Sequence, residues 1–535
     1  MRGSSESARN LEGIPREIVE IYPIIDKIDF GRFGRMVGSK RFFIRLCTVI
    51  LLFSCLSAWS DEAAPNTATA TAATAATATV ESINSPIVNP KRVYSYSVMS
   101  RDLKALAARY PELIKLGSAG TSEYGRELWT ADLGRGPAVI LIMGSHHARE
   151  WITTITAMMQ LETMARQYEQ GSVVYGGYRA KDLLDRVTIR FVPMVNPDGV
   201  ALQQSGLAAL PPDTHASLIQ MNGGSRNFKR WKANGKGIDL NRSYPADWDD
   251  IQNPASGPAY MNYKGKKPLQ AKEAQAVYDL TLASVPELAV AYHSSGEIVY
   301  WNYKTDPANL KRDKAIASAY SAMTGYRLFA PLANPSGGGF TDWFIQEFGR
   351  PALTPELGRG AGPTHVPLAE WDRIWKQHKD TVWMLAKEGY SLWLNRQTVA
   401  ELNEEVRLTE TVQGYRSPDL GSKLIAKLDP GRYEALRQKG DWVEISSPKG
   451  AVWVSSLHTL VGPFERLDGM AVAIGPDTEA YRSPAGAQPA AAKLEAQTAA
   501  GLERWQDWLL IRAVEGIFWI KEPSEPSAAV EPADM

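Results

Sequence analysis

The sequence predicts an α/β fold, an open sheet flanked by helices, followed by two small all-β units. Three observations carry this. Residues 138–143 (AVILIM), 187–195 (VTIRFVPMV) and 288–292 (LAVAY) are short, continuous apolar runs, the form expected of strands covered on both faces. Helical patterns lie between them, at residues 152–168 and 271–282. From about Leu402 the chain turns to short strand-like pieces and then repeats itself 66 residues on (481 less 415).

The chain has 535 residues, of which 44% are hydrophobic and 22% charged, a balance that excludes a wholly disordered or collagen-like polymer. Lys and Arg total 59, as do Asp and Glu, so there is no net positive charge to grip nucleic acid. The two cysteines, Cys47 and Cys55, share one apolar run at residues 46–59, too short for a membrane span of about 20 residues. Lys40, Arg41 and Arg45 precede that run and Ala58-Trp59-Ser60 ends it, the layout of a secretory signal peptide. The expectation is a start at Met36, residues 1–35 as an upstream extension, residues 36–60 as the signal, and a secreted product without cysteine or stable membrane span. Leu52-Phe53-Ser54-Cys55 offers the alternative of a lipid anchor at Cys55, from whose cleavage box Phe53 departs.

Residues 61–91 are an Ala/Thr-rich linker, and order is expected from about Val93. An amphipathic helix is expected at residues 100–110, ended by Pro111. The α/β domain spans residues 92–395. Each of its apolar runs leads into a polar cluster: residues 144–150, Asn196-Pro197-Asp198-Gly199, and His293-Ser294-Ser295. Polar residues just past strand ends place a site beyond the carboxyl edge of the sheet. In the C-terminal part, Tyr415-Arg416-Ser417-Pro418 recurs as Tyr481-Arg482-Ser483-Pro484, and Asp441-Trp442 as Asp507-Trp508. Trp453 recurs as Trp519 at the same offset, which makes residues 402–465 and 468–524 duplicated units, with residues 525–535 a disordered tail. Trp442, Trp453, Trp508 and Trp519 are read as packing residues before ligand platforms.

His147 and Glu150 are three residues apart, so a tight turn can aim both at one point, and imidazole and carboxylate are competent zinc ligands. His293 ends an apolar strand much later and can reach the same crevice. Two His and one Glu with a fourth position left for water make a catalytic zinc set. His146 lacks the spacing to Glu150 and is read as a neighbour turned away. Residues 337–339 (GGG) read as a loop, since no G-K-[ST] follows to make a phosphate cradle.

These motifs, with G-I-D-L-N-R at residues 237–242, Ser336-Gly337-Gly338 ahead of Asp342-Trp343, and Pro355-Glu356-Leu357, occur in the order of the zinc carboxypeptidase family, which the chain resembles over residues 92–395. W-K-A-N at 231–234 and H-S-S-G-E-I-V-Y-W at 293–301 are most similar to the bacterial branch with γ-D-glutamyl-L-diamino acid endopeptidases, which cut peptidoglycan stem peptides. The resemblance implies a mixed sheet, one Zn²⁺ per chain held by His147, Glu150 and His293, and Glu356 as general base. It implies substrate binding by Arg149 and a grip on a carboxylate by Asn241 and Arg242. The repeats resemble bacterial SH3-like barrels, which implies attachment to the cell wall.

Two positions depart from the family. Lys232 stands where an oxyanion-stabilising arginine is expected, with Arg230 as the nearby alternative. Ala333 and Asn334 fall where pancreatic members carry a capping tyrosine. A metallocarboxypeptidase acting on ordinary extracellular peptides is the alternative to a wall-peptide enzyme. A small-molecule deacylase and a catalytically dead wall-binding protein agree less well with the full set of ligands plus base.

Overall fold

The computed structural model describes residues 85–485 and 490–522. The expectations for an upstream extension, the signal peptide, the Cys55 anchor and the disordered tail lie outside the described residues, as does the linker but for its last few residues.

Four apolar strands form the centre of an eight-stranded sheet: β3 (Ala138–Met143), β4 (Val187–Val192), β5 (Leu288–Ala291) and β8 (Ala352–Pro355). They run parallel in the order β4-β3-β5-β8. Side chains alternate across the sheet, so Ile140 and Ile142 join one buried layer while Leu141 and Met143 join the other. The edges reverse direction. β1 (Ile114–Thr121) and β2 (Glu127–Gly134) add antiparallel beside β4, and β6 (Ile298–Tyr300) adds antiparallel to β8, with β7 (Arg327–Leu328) outermost. The sheet is therefore mixed.

The helices of eight or more residues cover both faces: α1 (Tyr96–Arg109), α2 (Ile152–Glu169), α3 (Pro197–Ser205), α4 (Lys272–Ser284), α5 (Pro307–Thr324), α6 (Phe340–Phe348), α7 (Trp371–His378) and α8 (Thr381–Arg396). Residues of α1, α2, α5, α7 and α8 pack on one face, and residues of α4 and α6 on the other.

Three boundaries differ from expectation for local reasons. The second apolar run stops at Val192 as a strand, because Pro193 has no N–H for the ladder. α1 starts four residues before Ser100 because the Ser95 hydroxyl accepts the Val98 N–H at 3.3 Å, a helix N-cap. Order extends ahead of Val93: Val88 is buried, and the Ile87 and Val88 N–H groups donate to the Glu162 carboxylate at 2.7 and 3.0 Å. A single anchor of this kind has no periodicity to betray it.

The C-terminal part is all β. β9 (Val399–Leu408), β10 (Val412–Tyr415), β11 (Leu424–Leu428), β12 (Gly431–Lys439), β13 (Trp442–Ser447), β14 (Gly450–Ser455) and β15 (Thr459–Val461) form one sheet. β16 (Glu465–Ile474), β19 (Gln497–Trp505), β20 (Trp508–Ala513) and β21 (Gly516–Lys521) form a second, beside the hairpin of β17 (Thr478–Ala480) and β18 (Ala492–Leu494). Strands β9, β12, β13 and β14 recur as β16, β19, β20 and β21 with both ends shifted by the same 66 residues. Each unit opens three residues ahead of 402 and 468. The Tyr–Trp contacts recur too: Tyr415 meets Trp442 edge-on at 5.6 Å and Tyr481 meets Trp508 at 5.2 Å.

The first unit is bolted to the α/β domain by Arg186, which lies just before β4 and is 2% exposed. Its guanidinium pairs with Asp441 at 3.0 Å, donates to the Ser455 hydroxyl at 2.5 Å and lies over the Trp442 ring. The Trp442 indole donates to the Tyr390 hydroxyl, which donates to Asp441, each at 2.6 Å. Among the described residues no helix is long and apolar enough to cross a membrane.

Candidate active site and metal centre

Strands β3, β5 and β8 are neighbours, so whatever follows their carboxyl ends converges. After β3 the chain turns through Ser145 at φ 53° and enters a single 3-10 turn, Ala148–Glu150, that leads into α2. The Thr153 hydroxyl fastens this turn by accepting the Ser145 N–H and donating to the Glu150 carbonyl, each at 2.7 Å. The tight turn sets His147 Nδ1 2.9 Å from Glu150 Oε1.

After β5, His293 is stitched to the chain beyond β8: its N–H donates to the Pro355 carbonyl at 2.9 Å and its carbonyl accepts the Leu357 N–H at 2.7 Å. Glu356 is thereby fixed opposite His293. His293 Nδ1 lies 2.9 Å from Glu150 Oε2 and 3.0 Å from His147 Nδ1.

All three groups are buried, and one ligand atom from each falls within 4.8 Å of the others. Zinc donor atoms at bonds of about 2.0–2.2 Å and tetrahedral angles stand roughly 3.3–3.6 Å apart. Two ring nitrogens and a carboxylate closing on one point at this spacing fit a zinc site. The opposite nitrogen of His147, Nε2, lies 3.1 Å from Asp239 Oδ1, the carboxylate–histidine arrangement that fixes a ligand's tautomer. His293 Nε2 is buried without a hydrogen-bond partner among the described residues. His146 does not join the cluster; its Nε2 meets the Tyr244 hydroxyl at 3.2 Å, and burial keeps its ring neutral.

Burial alone would raise the pKa of Glu150, but the two imidazoles hold it well below the usual carboxylate range. Asp239 is likewise held low, against its burial, by Lys232, His147 and Arg242. Glu356 goes the other way. Burial and the charge of Glu150 push it up to about 8, with Lys232 and Arg149 opposing. The charge of a bound dication would oppose it further.

A cavity of about 360 Å³ opens beside the cluster, and His147, His293, Glu356, Lys232, Asn241 and Arg242 all line it. The Lys232 ammonium is 4.0 Å and the Arg242 guanidinium 3.9 Å from Asp239. The Asn241 side-chain oxygen accepts the Phe340 N–H at 3.0 Å, holding the glycine-rich loop in place. Arg149 does not line the cavity; it donates to the Pro363 carbonyl at 2.9 Å. Arg230 is also elsewhere, bonded to Asn222 at 2.6 and 3.0 Å and stacked 3.9 Å over Tyr260.

Asp239 is the site residue that sequence reasoning passed over except as a partner for Arg242. Its signal was the acid between Ile238 and Leu240, an ionisable group flanked by buried apolar ones. Ala333 and Asn334 stay outside the cavity wall, whereas Tyr300 and Tyr303 lie in it. Tyr300, on β6, pairs in register with Thr354, two residues before Glu356.

The profile of the zinc carboxypeptidase family matches residues 99–381, more than half of the chain. The chain is 34% identical over 299 residues to the γ-D-glutamyl-L-diamino acid endopeptidase 1 of Lysinibacillus sphaericus, covering 54% of this chain and 72% of that protein. It is 28% identical over 300 residues to the uncharacterized protein YqgT of Bacillus subtilis, covering 55% and 78%. The solved structure of thrombin activatable fibrinolysis inhibitor aligns at 18% identity and TM-score 0.47, covering 58% of this chain and 77% of that one. The matched residues contain the zinc-fitting cluster, its orienting aspartate and the adjoining carboxylate, and on these grounds the chain belongs to the zinc carboxypeptidase family of peptide hydrolases.

Proposed function

We propose that this protein is a secreted zinc peptidase that hydrolyses peptidoglycan stem peptides, with Glu356 as general base. One observation supports it above the rest: the Glu356 carboxylate shares a cavity wall with His147 and His293, and the backbone on either side of it, at Pro355 and Leu357, is hydrogen-bonded across to His293. The relative at 34% identity is named for a γ-D-glutamyl-L-diamino acid linkage, which stem peptides contain.

His147, Glu150 and His293 hold the metal. A zinc ion held there would supply a Lewis acid and lower the pKa of the attacking water toward neutrality. Glu356 takes the proton of the attacking water and passes it to the leaving amine, so no covalent intermediate is needed. Lys232 offsets the charge that develops on the carbonyl oxygen; it lines the cavity, whereas Arg230 is engaged by Asn222 and Tyr260. Asn241 and Arg242 bind a substrate carboxylate. Arg149 acts from outside the wall, through its field at Glu356 and its hold on Pro363. The two C-terminal units, read as SH3-like, attach the enzyme to the wall.

The test is digestion of purified muropeptides, read by mass spectrometry, with and without chelator. Wild type should release stem-peptide fragments, and Glu356→Gln should lose at least about 10²-fold in rate while retaining its metal. Turnover of benzoyl-amino-acid substrates without muropeptide cleavage would replace this reading with an ordinary metallocarboxypeptidase.

A further inference from the structure

The two C-terminal β units meet along a cleft that has no part in catalysis. We propose that this cleft is a second, non-catalytic binding site for a short peptide bearing free carboxylates, anchored by Arg482. This holds whichever peptide the catalytic cavity cuts.

The cleft encloses about 470 Å³ between Arg407 and Arg432 of the first unit and Arg482, Leu510 and Ile517 of the second. An adjoining hollow of about 420 Å³ shares Thr409 and Arg482 with it, so Arg482 stands where the two meet. Most charges here are answered internally. Glu503 bonds both Arg407 and Arg432, Arg432 also bonds Glu405, and Glu410 in the adjoining hollow is paired with His458 at 2.6 Å. The Arg482 guanidinium has no hydrogen-bond or ion-pair partner among the described residues. The cleft thus combines an apolar wall with a cation, Arg482, that is unanswered among the described residues, a setting that recognises a carboxylate by a forked contact and packs small side chains beside it.

The duplication shows that this arrangement is peculiar to the junction. Sixty-six residues before Glu503 and Leu510 stand Arg437 and Glu444, which pair with each other at 2.6 Å and close that face of the first unit. In the second unit the pair is gone: leucine opens an apolar wall, and the glutamate reaches across to the first unit's arginines. The loop equivalent to that of Arg482 is also spoken for in the first unit, where Asp419 and Gly421 bond the Tyr178 hydroxyl at 2.6 and 3.1 Å.

The experiment uses the full-length Glu356→Gln protein, so that a probe is bound without being cut, and isothermal titration with the tripeptide L-Ala-γ-D-Glu-meso-diaminopimelate. Two equivalents should bind, falling to one in the added Arg482→Ala variant, with at least a tenfold loss of affinity at the missing site; Arg482→Lys should retain part of it. The fully amidated tripeptide should leave the cleft empty. Arg242→Ala should remove the other equivalent, so cleft binding alone would count against the wall-peptide reading of the catalytic site and for this one. Among the described residues Arg482 has no partner to lose, and a matching thermal midpoint would confirm the fold; Ile517→Asp, at a residue 53% exposed, is the second probe of the same wall. Binding in the parent with no equivalent sensitive to Arg482→Ala or Ile517→Asp, no binding at all, or equal cleft binding of the amidated peptide would overturn the proposal.

Discussion

The Nε2 atom of His147 lies 3.1 Å from Oδ1 of Asp239, on the side of the ring away from Nδ1, which faces Glu150 and His293. Asp239 holds the Nε2 proton in place and leaves the Nδ1 lone pair for a metal. Asp239→Ala should therefore weaken zinc binding about 10- to 100-fold without removing any ligand. Competition against a chromogenic chelator measures this, and an unchanged affinity would mean that the ring is oriented by the turn alone.

Lys232 and Arg230 are separated by one residue, Trp231, and by what they touch. Lys232→Ala should lower kcat by about 10²-fold, the usual cost of losing one oxyanion-stabilising group. Arg230→Ala should leave kcat near wild type and lower thermal stability instead, because Arg230 bonds Asn222 and stacks on Tyr260. Steady-state kinetics paired with thermal unfolding separates the two, and the opposite assignment would transfer the oxyanion role to Arg230.

The central strands were legible because β3 and β5 are buried almost throughout and read as unbroken apolar runs, and β4 is apolar but for Thr188 and the half-buried Arg190. The edges of the sheet were not, since β1 alternates half-buried and exposed residues and β7 has only two. The zinc-fitting residues stood out through the spacing of His147 to Glu150 and the strand ahead of His293. Glu356 stood out only through resemblance, because its approach to His293 is made by backbone pairing between chain segments far apart in sequence. Arg149, for which the resemblance implies substrate binding, stays off the cavity wall, and its guanidinium reaches the Pro363 carbonyl. The 66-residue repeat was legible from three aromatic anchors, but which copy docks on the α/β domain depends on Arg186, a residue outside the repeat.

Glu273 on α4 is fully buried, with its carboxyl oxygens accepting the Asn234 side-chain N–H at 3.0 Å and the Glu123 N–H at 3.3 Å. Burial pushes its pKa up to about 8 from an ordinary 4.5, despite the Asn234 bond. A carboxyl raised in the folded state contributes fully below the unfolded pKa and loses that contribution as pH climbs through the folded value. Between pH 5 and pH 8, wild type should lose stability relative to Glu273→Gln, by on the order of 2–4 kcal/mol. Urea unfolding of both proteins at the two pH values checks the difference, which cancels any fixed cost of the substitution. A gap that does not change with pH would show that Glu273 ionises freely.

The docking of the first β unit rests on a buried ion pair whose counterpart in the second unit is exposed. Arg186 pairs with Asp441 where their side chains are 2% and 12% exposed, whereas Lys521 and Asp507 approach to 3.8 Å at 69% and 65%. Arg186→Met strands the Asp441 carboxylate in a site that already pushes its pKa up by burial against the pull of Arg186. Removing one partner of a buried pair costs roughly 3–5 kcal/mol. The loss should be smaller at pH 5 than at pH 8, because an isolated carboxyl with a raised pKa accepts a proton at the lower pH and becomes neutral. Arg186→Met combined with Asp441→Leu should recover much of it, since an apolar pair of similar volume avoids the desolvation cost. Lys521→Met should change stability by less than about 1 kcal/mol. Calorimetric unfolding of the full-length variants measures all four values, and equal small effects at both sites would mean that Tyr390 and Trp442, rather than the ion pair, hold the first unit in place.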